Sequence, residues 1–148
     1  MCGIPSVEIF AIPPKTMSIE EAKEITKGID NLYLYKDEGE MLKAFLDIIQ
    51  DADVLSGWNS EGYDIPYVIN RIQKVLSKDD TRKLCLWKQL PKKRVFERFG
   101  REQETYDLVG RVHLDSLELY RKYTYEERHS YRLDAIGEHE IGEKKTIY

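Results

Sequence analysis

Asn59, Tyr63 and Asp64 stand in the string Leu55-Ser56-Gly57-Trp58-Asn59-Ser60-Glu61-Gly62-Tyr63-Asp64-Ile65-Pro66-Tyr67, an N-x-x-x-Y-D pattern between an apolar run and a helix start. A carboxylate such as Asp64 can hold a divalent cation. The amide of Asn59 and the ring of Tyr63 offer a nucleotide a hydrogen bond and a stacking face. In an open α/β sheet, ligands bind beyond the carboxyl ends of the strands, which is where this string falls. The bland alternative makes Asp64 the cap of a helix opening at Ile65-Pro66 and Asn59 the end of a turn. Spacing alone favours the cap, because so short a pattern arises by chance.

A second group has the chemistry for phosphates. Arg82, Lys83, Lys88, Lys92, Lys93, Arg94, Arg98 and Arg101 fall within one stretch that holds a single acid, Glu97. That stretch carries +7 in a chain whose formal net charge is −4, so the remainder carries −11. A basic patch on an acidic body can touch phosphates along one face without binding them all round. Its alternative is a solvated, charged surface loop. His113, His129 and His139 lack metal-ligand spacing and read as surface or packing residues.

The elements that must position these groups alternate between strand and helix. Residues 7–12 form a β-type run ended by Pro13-Pro14, and Ser18-Ile19-Glu20-Glu21 spells a capping box for a short helix that stops at Gly28. Residues 31–35 alternate as a strand does. Asp37 with Glu40 is another cap, and Met41, Leu42, Phe45, Ile48 and Ile49 predict a helix over 38–50. Residues 54–58 read as a buried strand. Pro66 opens a helix with Ile65, Val68, Ile69, Ile72, Val75 and Leu76 as its apolar stripe. Two β-type arms around Gly100 predict a hairpin over about 94–107. Residues 112–115 form a last strand, feeding a helix through Leu117, Leu119 and Tyr120, and a final helix begins near Ser130 and ends by Gly142. The fold class is α/β, in one domain of 148 residues.

Composition sets outer limits. With 41% hydrophobic and 34% charged residues, the chain has material for one modest core. Its longest apolar runs fall far short of the roughly 20 residues that span a bilayer, and Met1 to Phe10 does not read as a signal peptide. The two cysteines, Cys2 and Cys85, are too few for a disulfide scaffold or a zinc site and fit a reducing, intracellular setting.

The longer context of the first string, G-W-N-x-x-x-Y-D-I-P-Y-V-x-N-R-I from Gly57 to Ile72, resembles the second exonuclease motif of family B DNA polymerases, and within them the T-even phage enzymes. Leu114-Asp115-Ser116-Leu117-Glu118-Leu119-Tyr120-Arg121-Lys122-Tyr123 is a second match. Ser130-Tyr131-Arg132-Leu133-Asp134-Ala135-Ile136-Gly137-Glu138, continuing to Ile141-Gly142-Glu143-Lys144-Lys145, is a third. The three ordered matches cover residues 31–148, while the first thirty residues match weakly.

The resemblance implies part of a 3′–5′ proofreading exonuclease domain, a partial ribonuclease H-like fold with an inserted β-hairpin. It maps the second motif's aspartate onto Asp64 as catalytic residue and metal ligand. Asn59 and Tyr63 become DNA contacts, and Lys145 takes the place of the lysine after the last helix. The hairpin, with Arg94, Arg98, Phe99 and Arg101, resembles the element that phage polymerases use in strand separation. Asp115 and Asp134 match family positions but read as a strand-end contact and a helix-face acid. Implied partners are a single-stranded DNA primer 3′ end and the remaining polymerase segments, with no membrane, in the cytoplasm of an infected host cell. The implied cofactors are two Mg²⁺ or Mn²⁺ ions.

The family's D-x-E motif would precede Val7, and its Y-x-x-x-D motif would follow Tyr148. One of four catalytic carboxylates is then present, so the chain by itself is expected to be inactive, since two-metal chemistry clamps both ions. The 54–58 strand would lose a neighbour, and its edge is expected to be covered by residues 7–12 or by self-association. The alternative in another class is a non-catalytic DNA-binding or replisome-interaction module on the same fold. An unrelated soluble α/β domain stands third.

Overall fold

Local signals in the sequence set most element ends. In the computed structural model, which describes residues 6–98 and 100–144 and only the backbone of Arg98 and Arg101, strand β1 (Ile9–Ala11) leads to helix α1 (Ile19–Ile25). Glu21 N–H donates to Ser18 Oγ at 3.2 Å and Ser18 N–H returns to Glu21 Oε2 at 2.8 Å, closing the capping box. Strand β2 (Leu32–Leu34) follows, and Asp37 caps helix α2 (Glu38–Ile48) by accepting the Glu40 N–H at 2.9 Å.

Strand β3 (Val54–Gly57) runs into helix α3 (Asp64–Val75), and a 3₁₀ turn over Asp79–Leu84 precedes strands β4 (Lys92–Arg98) and β5 (Arg101–Asp107). Strand β6 (Val112–Asp115), helix α4 (Ser116–Tyr123) and helix α5 (Leu133–Ile141) complete the order, with Gly142 at φ +73° ending α5. Residues 130–132 lie ahead of α5 rather than inside it, and the 3₁₀ turn was not legible from periodicity.

Among the described residues the strands pair two by two: β1 with β2 and β3 with β6 in parallel, and β4 with β5 antiparallel. Residues 7–12 do not cover the open edge of β3. Ile9 N–H bonds Asn31 O and Tyr35 N–H bonds Ala11 O, while Asn31 Nδ2 donates to Val7 O, so β1 is spent on β2. Phe10 locks this pairing by stacking on Tyr35 with centroids 5.9 Å apart and meeting Phe45 edge-on.

The core lies where α2, α3 and the 3₁₀ turn converge, with Leu42, Leu46, Ile69, Ile72, Leu84, Cys85 and Leu108 buried together. Ile48, expected on the α2 stripe, is exposed and Leu46 is buried instead. At 100° per residue, Ile48 lies well off the face shared by Leu42, Leu46 and Ile49. Arg71 Nε donates to Glu38 Oε1 at 2.6 Å and its Nη2 reaches Glu38 Oε2, joining the middle of α3 to the first turn of α2. Buried Arg111 donates to Ile49 O at 2.5 Å, Gln50 O at 2.9 Å and Ala52 O, tying down the turn that follows α2.

Candidate functional site

The loop between β3 and α3 is held from beneath by one side chain. Asp115, buried at the carboxyl end of β6, accepts the N–H of Asn59 at 3.0 Å and of Leu117 at 2.9 Å on Oδ1, and that of Glu61 at 2.9 Å on Oδ2. It is both the N-cap of α4 and the anchor of residues 59–61. The parallel register places Gly57 opposite Asp115, so the loop leaves β3 directly over the carboxylate. Ser60 Oγ lies 2.9 Å from His113 Nε2, which makes His113 a packing residue of this loop. A side chain at Gly57 would meet Ser60 Cβ at 2.9 Å, so the tight turn needs glycine there.

The anchored backbone presents the candidate residues outward. Asn59 sits at φ +60°, a left-handed conformation that asparagine tolerates better than most residues. Tyr63 occupies the N-cap position of α3 without a side-chain cap bond, and Asp64 is the first helical residue. Asp64 is therefore not the cap; it stands where the helix dipole favours a negative charge. It is exposed, and among the described residues no hydrogen bond or ion pair reaches its carboxylate. The rings of Tyr63 and Tyr67 stack at 6.0 Å and 7° while remaining 63% and 54% exposed. Tyr67, one helical turn on, joins the aromatic surface that the sequence reading gave to Tyr63 alone; the i, i+4 spacing was the signal for it.

A cavity of about 650 Å³ opens beside this loop between Trp58, Asn59, Gln103, Tyr131 and Arg132. Trp58 Nε1 donates to Tyr131 O at 3.1 Å, and the Arg121 guanidinium lies 4.4 Å from the Tyr131 ring. Asn59 is on its wall, whereas Tyr63 and Asp64 are not. Asp134 lines the same cavity from the first turn of α5.

Arg82, Lys83, Lys93 and Arg94 of the basic stretch pair with acids that lie outside it. Arg82 Nε meets Asp79 at 2.5 Å, Lys83 meets Asp47 at 3.1 Å, and Lys93 meets Glu104 at 2.5 Å. The Glu104 contact holds the Lys93 ammonium above its ordinary range. Arg94 is paired with Asp107 at 3.2 Å and with Glu61 of the Asn59 loop. These partners stand 3 to 36 residues away, all outside the 82–101 stretch whose charge the sequence shows as +7. Phe99, Lys145 and the side chains of Arg98 and Arg101 lie outside the described residues.

Mg²⁺ and Mn²⁺ take several oxygen ligands. Among the described residues no group of three or more His, Cys, Asp or Glu side chains converges, so these residues alone do not fit a two-ion centre. No helix of the described residues is long and apolar enough to cross a membrane.

The family model for the exonuclease domain of family B DNA polymerases matches residues 5–136. The DNA-directed DNA polymerase of Escherichia phage RB69 is 32% identical over 146 residues, covering 97% of this chain and 16% of that polymerase. That of Enterobacteria phage T4 is 27% identical over 137 residues, covering 89% of this chain and 15% of the polymerase. The DNA polymerase delta catalytic subunit of Candida albicans is 34% identical over 122 residues, covering 77% of this chain and 12% of the subunit. The chain thus spans about a sixth of the phage relatives' length. Alternating helices and strands with an acid at a strand-to-helix loop agree with the match, and the chain belongs to the exonuclease domain of DNA polymerase family B.

Proposed function

We propose that residues 1–148 form a single unit of a 3′–5′ proofreading exonuclease domain, of ribonuclease H-like fold, with the β4–β5 hairpin as its insertion. In the intact enzyme this unit acts in metal-dependent hydrolysis of the terminal phosphodiester of a DNA primer, in the cytoplasm of an infected host cell. Asp64 supplies one carboxylate to a Mg²⁺ or Mn²⁺ centre, and Asn59 and Tyr63 meet the single-stranded 3′ end. Arg94, Arg98, Phe99 and Arg101 serve the hairpin's contact with DNA, and Lys145 serves as a catalytic residue. The remaining polymerase segments are the partners that bring further carboxylates.

The observation that supports this most directly is the placement of Asp64. Three backbone N–H groups on Asp115 fix the adjoining loop and the start of α4, and the result is an exposed, unpaired acid beside two exposed stacked tyrosines. An exposed unpaired carboxylate contributes little to folding, whereas it is what a cation approaching from solvent requires.

The test is a chimera in which this chain replaces the homologous stretch of the phage RB69 polymerase. Metal-dependent release of nucleotides from 3′-labelled single-stranded DNA is expected, and Asp64→Ala should abolish it. Release that survives Asp64→Ala overturns the assignment. One observation favours the second reading, a non-catalytic DNA-binding module: among the described residues no group of three or more potential metal ligands converges. An inactive chimera that still binds the oligonucleotide would select that reading.

A further inference from the structure

Glu61 is gripped by three elements at once. Its N–H donates to Asp115 Oδ2 at 2.9 Å, its carbonyl accepts from Thr105 Oγ1 at 2.8 Å, and its carboxylate pairs with Arg94. Thr105 is fully buried on β5 and Arg94 lies opposite it on β4, so both hairpin strands reach one residue of the Asn59 loop. Arg94 is held in turn by Asp107 Oδ1 at 3.2 Å, which leaves its guanidinium bridging the hairpin's base and the loop. Among the described residues, none of the residues 59–64 except Glu61 has a hydrogen bond or ion pair to the hairpin.

We propose that Glu61 is a positioning residue that fixes the base of the β4–β5 hairpin against the Asn59–Asp64 loop, so that displacement of the hairpin is transmitted to Asn59, Tyr63 and Asp64. The significance of that transmission rests on reading the loop as part of a DNA 3′-end site; the mechanical link does not. The Thr105 and Asp115 bonds hold the Glu61 backbone, and the ion pair with Arg94 sets the hairpin's angle upon it. The pair is partly exposed, so its strength falls with salt, while the two backbone bonds are indifferent to it.

Amide hydrogen exchange on the 148-residue chain, without DNA, tests the link. Glu61→Gln and Arg94→Gln should each accelerate exchange at the Asn59 and Glu61 amides and along β4–β5 about five- to tenfold. The double variant should match either single variant rather than their product, because residues acting through one contact are not additive. Raising salt should move wild type toward the variants and leave the variants unchanged. Thr105→Ser, which retains the hydroxyl, should leave that salt response intact and shows that the hairpin still packs. Multiplicative effects, or wild-type exchange indifferent to salt, overturn the proposal. Titrating a single-stranded oligonucleotide forms a separate arm: absence of binding there counts against the DNA reading and leaves the link standing.

Discussion

Asp115 and Glu61, 54 residues apart in the chain, meet through a 2.9 Å hydrogen bond from the Glu61 N–H to Asp115 Oδ2. With the Asn59 and Leu117 amides on the other oxygen, one buried carboxylate orients the loop and starts α4. Asp115→Asn sets an amide donor against a backbone donor on one side. A buried N–H left without a partner costs about 1–3 kcal/mol. The urea midpoint should fall accordingly with the m value unchanged; an unaltered midpoint would mean that solvent replaces the lost acceptor.

Arg111→Ala removes the donor shared by Ile49 O, Gln50 O and Ala52 O. Those carbonyls and the end of the α2 dipole lose their cation together, and a loss of about 3 kcal/mol is expected. Thermal unfolding measures it. Arg111→Lys should retain part of the stability, since an ammonium keeps the charge without the planar fork.

Gly110 and Gly28 separate two costs of adding a methyl group. Both have positive φ, +85° and +100°, but a Cβ at Gly110 would lie 2.6 Å from Leu86 Cβ and 2.9 Å from the Trp87 ring, while Gly28 has open space. Gly28→Ala pays conformational strain alone, about 1–2 kcal/mol. Gly110→Ala adds overpacking on the order of 1–3 kcal/mol. Equal midpoints for the two variants in thermal unfolding would contradict the clash.

Arg71 beside Glu38 holds that carboxyl below its usual range. A depressed folded-state pKa means that the pair's stabilisation is present above the ordinary glutamate pKa and is lost as pH falls through the depressed one. Arg71 stays cationic throughout. The difference in melting temperature between wild type and Glu38→Gln should therefore be constant at neutral pH and shrink in acid. A difference that grew on acidification would mean that the Glu38 carboxyl is raised rather than lowered in the folded state.

With Mg²⁺ or Mn²⁺, the 148-residue polypeptide by itself is expected to release no nucleotide from 3′-labelled single-stranded DNA, because one carboxylate does not clamp two ions about 4 Å apart. Release that disappears in Asp64→Ala would reveal further ligands within this chain.

The sequence determined what depends on near neighbours. Ser18 with Glu21 and Asp37 with Glu40 are local pairs, so the starts of α1 and α2 could be read directly. Residues 112–115 alternate as β6 does, and the N-x-x-x-Y-D string located the loop that displays Asn59, Tyr63 and Asp64. Tertiary structure decided what depends on distant partners. Residues 7–12 read as a candidate cover for the β3 edge, and instead they pair with β2, with Phe10 packed on Tyr35 and Phe45. The acid at 115 became the loop's anchor only when parallel pairing set Gly57 beside it. The basic run shows its neighbouring charges in the sequence, while the distant acids that folding brings alongside it, Asp47 and Glu61 among them, are hidden there. Arg94 found Glu61 across 33 residues, and that pairing joins the hairpin to the loop that carries Asn59.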